Sequence, residues 1–294
     1  MQHAGIPHSG IHSIRVGDIT VTALNDGQFQ ASTAILNGVA EDAAAHAEAA
    51  AFRVLPPRIT ISSFLLDLGG RKVLVDAGCG TAFGSAMGRS RGKLDTLGIK
   101  PADIATILVT HAHVDHVSGL VDPDGKPWYP NAEIVINGLE TAFWLDDAKA
   151  AAAPEAARGA FATAQGALRP YAARTRTVSH GQEGIQGVTC HHLPGHTPGH
   201  SGWLLASGKE SLFIWGDVVH LPGIQFALPQ AGLAFDTDSD AARTTRAKAL
   251  DMAATDRLLI AGMHLDFPTF GHVVKSASDY AFVPVVWRPD VDVA

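Results

Sequence analysis

Residues 106–120, TILVTHAHVDHVSGL, join an apolar, β-branched run to a cluster of side chains that commonly bind metals. The run TILVT predicts a buried strand, and the cluster starts where that strand would end, which is where α/β folds place many ligand sites. With alternating projection, His111 and His113 face one way, whereas Asp115 and His116 face another. Two sets of ligands around one space are more typical of two metal ions than of one.

The ligand types indicate which metals the cluster would prefer. Imidazole and carboxylate together favour zinc or another first-row divalent metal such as Mn, Co or Fe, whereas an all-oxygen set would favour magnesium or calcium. A chance enrichment is the alternative, because the chain carries 15 histidines. One metal needs three or four protein ligands, so the cluster alone is insufficient for two ions.

Three further ligand-type residues follow apolar runs elsewhere in the chain. His196 stands in the turn-like PGHTPGH, Asp217 directly follows SLFIWG, and His264 follows RLLIAGM. Each run predicts a short strand, so all three residues share the placement of the first cluster. This repeated placement is harder to attribute to chance than any single histidine.

Five motifs together resemble the metallo-β-lactamase superfamily, and they occur in the order of that family. They are VLVDAG around Asp76, HAHVDH, PGHTPGH, WGD and GMH, and they extend over residues 76–264. The segments GIQFALPQAGLAFDTDSDAARTTRAKAL, GMHLDFPTFGHVV and YAFVPV, with the long region before Asp76, resemble more narrowly the methyl parathion hydrolase and quorum-quenching lactonase branch.

The resemblance implies a four-layer αββα sandwich of class α/β and a centre of two Zn²⁺ ions that share a bridging hydroxide. In it, Asp217 bridges the ions, Asp115 also passes a proton to the leaving group, and Asp76 orients ligand histidines. The implied ligands are His111, His113 and His196 for one ion, Asp115, His116 and His264 for the other, and Asp217 for both.

The expected activity is hydrolysis of a small-molecule lactone of the N-acyl-homoserine lactone type, with promiscuity toward aryl esters or organophosphate triesters. Asp217 and His116 argue against antibiotic hydrolysis, because the classical lactamases of this superfamily carry cysteine at the position of Asp217. A thioesterase resembling glyoxalase II is the alternative enzyme, and a metal-binding protein without turnover is the alternative outside catalysis. No GxSxG or HExxH motif supports another hydrolytic mechanism.

Aromatic and histidine side chains near the motifs are candidates for the substrate pocket, since such pockets are mostly apolar. An ordinary place in the core is the alternative for each aromatic residue. The candidates are Phe64, Trp144, His220, Phe226 and Phe267.

Composition narrows the partners. A net charge of −7 without a run of Lys or Arg argues against nucleic acid, and no apolar run reaches the roughly 20 residues that span a bilayer. No signal peptide is recognised, which favours the cytoplasm, and two cysteines are too few for a disulfide scaffold. We expect one domain over residues 1–294, with an N-terminal extension over residues 1–57 that forms either a lid or a dimer contact, and we expect a homodimer.

Local patterns predict the elements that carry these motifs. We expect strands in 14–29 that end in a turn at Asn25-Asp26-Gly27, a hairpin over 58–78, and helices in 38–52 and 238–255. An Ala-rich helix pair broken at Pro154 is expected within 139–170. Further short strands are expected at 106–110, 132–138, 187–195, 201–207, 211–217 and 257–262.

Overall fold

The computed structural model describes residues 9–276 and 279–287, so residues 1–8 of the predicted extension lie outside the described part. The strands are β1 Ile11–Val16, β2 Ile19–Gln30, β3 Leu36–Asn37, β4 Arg58–Leu68, β5 Arg71–Val75, β6 Ile104–Leu108, β7 Glu133–Asn137, β8 Thr175–Val178, β9 Glu183–Ile185, β10 Val188–His192, β11 Ser201–Ser207, β12 Glu210–Ile214, β13 Gly232–Leu233, β14 Ile260–Ala261, β15 Phe270–Lys275 and β16 Tyr280–Pro284. The helices are α1 Glu41–Ala50, α2 Ser90–Thr96, α3 Val114–Val117, α4 Gly138–Trp144, α5 Asp147–Ala152, α6 Glu155–Leu168, α7 Pro222–Gln225 and α8 Ser239–Thr255.

Two seven-stranded sheets form the centre of the molecule. The first has the order β1-β2-β4-β5-β6-β7-β8, and the second has the order β16-β15-β14-β12-β11-β10-β9. A separate two-stranded sheet pairs β3 with β13. Strands β5 to β8 run parallel, and so do β12 and β14. The carboxyl ends of the parallel strands in each sheet therefore lie on a common edge.

Alternating side chains separate three apolar layers, because successive residues of a strand point to opposite faces. On β4, Phe64 and Leu66 pack between the two sheets, whereas Leu65 packs toward the helices on the outer face of the first sheet. On the outer face of the second sheet, Leu250 of α8 packs against Phe213 of β12. Helix, sheet, sheet and helix thus form four layers, which confirms the predicted αββα sandwich.

One local prediction is wrong. Asn25, Asp26 and Gly27 lie inside β2, where the pairing with β4 shifts register, and they form no chain-reversing turn. The bulge directs the buried carboxylate of Asp26 to the backbone N–H groups of Cys79, at 2.8 Å, and Ser90, at 2.7 Å. A turn-forming triplet therefore serves here to hold the loop that follows β5.

Candidate metal centre

The ligand-type residues stand on loops that leave the carboxyl ends of the central strands. His111 follows β6 by three residues, Asp217 follows β12 by three, and His264 follows β14 by three. His196 lies on the loop between β10 and β11. These loops meet at one edge of the sandwich, so residues far apart in the sequence share one buried site.

The buried carboxylate of Asp217 lies at the centre of this site. Its Oδ2 atom is surrounded by the Nε2 atoms of five histidines, at distances between 3.0 and 3.5 Å. The histidines are His111 at 3.5 Å, His116 at 3.3 Å, His196 at 3.2 Å, His220 at 3.0 Å and His264 at 3.0 Å.

The ring orientations are fixed by bonds on the outer sides of the imidazoles. The Nδ1 atom of His116 lies 2.6 Å from Asp76 Oδ2, and the Nδ1 atom of His264 lies 2.7 Å from the carbonyl oxygen of Thr60. Both rings thus direct Nε2 toward the site. Asp76 is also held by Thr110, whose N–H and hydroxyl both donate to it, and its φ of +58° lies in the left-handed region. The orienting role of Asp76 stays a prediction, which its contact with His116 supports.

His200, the last residue of the PGHTPGH motif, holds the backbone beside Asp217. Its Nδ1 donates to the carbonyl oxygen of Leu193, and its Nε2 accepts from the N–H of Asp217 at 2.9 Å. Burial lowers the pKa of His200 to about 3, so the ring is neutral, as this bond requires. Gly216 allows the approach, because its φ is +62° and a Cβ there would lie 2.4 Å from the His200 ring.

Within the described residues, the donor set can be divided into two ligand groups that match the two predicted sets. The nitrogen atoms of His111, His113 and His196 converge in one group. The ligand atoms of Asp115, His116 and His264 converge in the other. Further groups, His111 with His116 and Asp217, and His196 with Asp217 and His220, connect the two at Asp217.

Several ligand atoms that face the centre of the site are better suited to binding a metal ion than to hydrogen bonding with one another. The buried atoms His111 Nε2, His116 Nε2 and Asp217 Oδ1 have no hydrogen-bond partner among residues 9–276 and 279–287. His113 Nδ1 and His196 Nε2 lie only 2.9 Å apart. Buried polar atoms are rarely left unpaired, so these atoms suit bound divalent cations.

The charges of the site support the same interpretation. Burial and neighbouring imidazoles hold the pKa of His111 and His113 well below the usual value, which keeps these rings neutral. Burial also disfavours a charge on His196, but hydrogen bonds to Asp217 and Asp236 outweigh it and raise the pKa to about 9. Despite burial, His116 and other imidazoles hold the pKa of Asp217 well below its usual value. Neutral imidazoles beside an ionised carboxylate form a donor set that suits divalent cations.

A cavity of about 1200 Å³ opens directly from this site. Asp115 lies at its wall and has a 16% exposed side chain, whereas the side chain of Asp217 is 2% exposed. Away from the ligands the wall is apolar, and it is formed largely by the loop residue Phe83, the helices α4 to α6, and the segment that precedes α8. Lining residues include Phe83, Phe143, Trp144, Ala157, Phe161 and Phe235.

The predicted pocket residues are placed in different surroundings. Trp144 and His220 line the cavity. Phe64 instead lies fully buried between the sheets, 5.7 Å from Phe270, and Phe226 packs under α8. Phe267 borders a separate small depression beside Thr60. These three aromatic residues therefore occupy ordinary core or surface positions and are not among the residues that line the cavity. Nearness to a motif in the sequence does not fix the direction in which a side chain points.

Sequence reasoning missed two acidic residues of the site. Asp236 Oδ1 lies 2.9 Å from His196 Nδ1, and Glu140 is fully buried beside both ligand loops. Glu140 had a usable signal, since it is the one charged residue in a mostly apolar helix that starts at the end of β7. Asp236 had none, because it lies among other polar residues in AFDTDSD.

The sequence also matches a known family. The model of the metallo-beta-lactamase superfamily matches residues 57–264, most of the chain. The chain belongs to the metallo-β-lactamase superfamily. The expectation of a metal-dependent hydrolase is confirmed by this membership together with the ligand cluster.

Several solved structures are similar to this chain over nearly its whole length. The hydrolase AbOPH is 31% identical to this chain, and the two structures align with a TM-score of 0.91. The alignment covers 96% of this chain and 100% of AbOPH. AidC, a dizinc quorum-quenching lactonase in complex with the product N-hexanoyl-L-homoserine, is 26% identical, with a TM-score of 0.88 over 95% and 98% of the two chains. A probable metal-dependent hydrolase from Staphylococcus aureus, 17% identical with a TM-score of 0.76 over 95% and 100%, shares the fold. No curated protein sequence matches the chain significantly.

Among the described residues, none of the helices combines the length and the apolar character that crossing a bilayer requires.

Proposed function

We propose that the chain hydrolyses N-acyl-homoserine lactones with two divalent metal ions, and that these ions are Zn²⁺. The observation that carries the proposal is the cluster of five imidazoles around Asp217 beside a large, mostly apolar cavity. The similarity to AidC, whose structure holds a homoserine product, supports the substrate class.

The proposed ligand sets follow the two groups of converging atoms. The three atoms of His111, His113 and His196 would hold one ion, and those of Asp115, His116 and His264 would hold the other. Asp217 lies within reach of both sets and would bridge them. When bound, two such ions supply Lewis acidity and lower the pKa of a water to about 7, so that it attacks at neutral pH.

Asp115 is the carboxylate that would move the proton. It lines the cavity, and its Oδ2 lies 3.6 Å from His116 Nε2 and 3.5 Å from His264 Nε2, so it borders both the ligands and the substrate space. As water adds to the lactone carbonyl carbon, Asp115 accepts the released proton. It then returns this proton to the ring oxygen as the carbon–oxygen bond breaks, and the product is an N-acyl-homoserine.

The apolar wall of the cavity supports a substrate with an acyl chain. Each buried methylene contributes about 0.8 kcal/mol, so a chain along Phe143, Ala157 and Phe161 would add binding energy at a distance from the metals. The same space would admit aryl esters and organophosphate triesters as secondary substrates. Glutathione thioesters are less suited, because Lys149 is the single lysine or arginine among the described lining residues and it already pairs with Asp146.

Rates on four substrates test the proposal directly. The zinc-loaded protein should hydrolyse an N-acyl-homoserine lactone with the highest kcat/KM, ahead of an aryl ester, a phosphotriester and a glutathione thioester. Asp217→Ala should remove turnover of all four. A preference for the thioester would favour the glyoxalase II-like alternative, and two bound ions without turnover of any substrate would favour a metal-binding protein.

A further inference from the structure

Glu140 is a completely buried carboxylate that accepts four hydrogen bonds. Its Oε1 accepts from the N–H of Ala112 at 2.9 Å and from the indole N–H of Trp144 at 2.7 Å. Its Oε2 accepts from the hydroxyl of Thr197 and from the N–H of Gly199, both at 2.8 Å. All four donors are uncharged, and both oxygens are used.

These hydrogen bonds join the two loops that carry the first proposed ligand set. Ala112 lies between His111 and His113, and Thr197 directly follows His196. One side chain therefore connects both loops, and we call it with its four hydrogen bonds the Glu140 link. Because the link contacts the backbone N–H between His111 and His113 and the side chain that follows His196, it constrains how far apart the ligand nitrogens of the two loops lie.

Close packing around Glu140 leaves little room for adjustment. A Cβ on Gly199 would lie 2.2 Å from the backbone nitrogen of Glu140. The same end of α4 is fixed a second time, since Asn137 accepts from the N–H of Leu139 and donates to Ser201 Oγ at 2.9 Å. Helix α4 is thus locked between β7 and the loop of His196.

The second proposed ligand set is oriented by other residues. His116 is held by Asp76, and His264 is held by the carbonyl oxygen of Thr60. A change at Glu140 therefore acts directly on the set of His111, His113 and His196, and it reaches Asp115 and His116 less directly, through the backbone that continues from His113 into α3.

We propose that Glu140 is a positioning residue that sets the affinity of the ion held by His111, His113 and His196, and leaves the other ion largely unaffected. This inference rests on the metal centre of the proposed function but not on its substrate. Groups that orient metal ligands typically contribute 10- to 100-fold to metal affinity.

Glu140→Gln tests the link, because glutamine places an N–H₂ where one oxygen accepted two hydrogen bonds. Zinc affinity is measured on the metal-free protein by competition with a chromophoric chelator. We expect one ion to bind about 10- to 100-fold more weakly and the other to change less than about threefold. In a His264→Ala background, where the first set remains intact, E140Q should weaken the remaining ion. In a His113→Ala background it should have little effect.

Leu168→Ala is the matched control, since Leu168 is a buried core residue at the end of α6 without a bond to either loop. It should lower Tm, because the truncation leaves a cavity in the core, and it should leave both zinc affinities unchanged. Should E140Q fail to fold, Thr197→Val removes a single donor of the link and should weaken the same ion by a smaller factor.

Unchanged affinity for both ions in E140Q, or in T197V where that variant is used, overturns the inference. Equal weakening of both ions also overturns it, since the link would then act as general support. A wild-type chain that binds a single ion contradicts the dinuclear centre instead. In that case, a lower affinity for this ion in E140Q supports the role of Glu140, and an unchanged affinity overturns it. A wild-type chain that binds none contradicts both.

Discussion

Replacing Ala157 with tryptophan should shorten the acyl chain that the enzyme prefers. Ala157 lies on α6 and lines the apolar part of the cavity, so a large side chain there would occupy space proposed for the acyl chain. The metal ligands lie on other elements, and the chemistry at the lactone ring should be retained.

The magnitude follows from the burial of methylene groups. Each contributes up to about 0.8 kcal/mol, which is roughly fourfold in kcat/KM. An indole that excludes four methylene groups removes about 3 kcal/mol, and we expect a loss on the order of 10- to 100-fold because the open cavity buries the chain only partly. The butanoyl lactone has six fewer methylene groups than the decanoyl lactone to bury in the cavity, and it should lose less than about threefold.

The assay compares kcat/KM for butanoyl and decanoyl homoserine lactones in the wild type, A157W and Ala162→Trp. Ala162 stands on the same helix but is exposed outside the cavity, so its substitution controls for the cost of tryptophan in α6. The reasoning is refuted if A157W lowers both lactones in parallel, or if A162W changes chain-length preference as strongly.

Three further changes test the metal centre. Asp76→Asn, which alters the partner of His116 Nδ1, should weaken zinc binding about 10- to 100-fold in a chelator competition, and wild-type affinity would contradict the role of Asp76. The pKa of His196 without metal is raised to about 9, so zinc must displace the proton of this ring at neutral pH. Zinc affinity should therefore rise as the pH increases from 7 to about 9 and then level off. A flat profile of affinity against pH would count against this coupling. Removing the metals should lower Tm by roughly 5–10 °C, because a ligand at 100 times its Kd adds about 2.7 kcal/mol to the free energy of unfolding. Scanning calorimetry with and without chelator measures this shift in Tm.

Local signals were sufficient for much of the fold and for the ligand cluster. Hydrophobic periodicity and helix-breaking or turn-forming residues predicted several elements that the structure contains. These are the hairpin over 58–78, the helix in 38–52, the break at Pro154 and the strands on either side of the His196 loop. The ligand residues stood out because each follows an apolar run. Periodicity reports such local placements directly.

Long-range contacts were not predictable in the same way. The bulge at Asp26 depends on partners more than 50 residues away, and Glu140 depends on loops 28 and 57 residues away. The side of the sheet that Phe64 faces is set by register with its neighbours, which a single strand pattern does not determine. The predicted homodimer, the role of residues 1–57 as lid or contact, and the cytoplasmic location stay predictions.

A zinc titration of the metal-free protein tests the central claim most directly. Hydrolysis of an N-acyl-homoserine lactone is measured while zinc is added stepwise to a known concentration of chain. The two-ion centre predicts that activity reaches its plateau when about two ions are bound per chain. A plateau at one ion, or no lactone hydrolysis at any zinc content, would contradict the account.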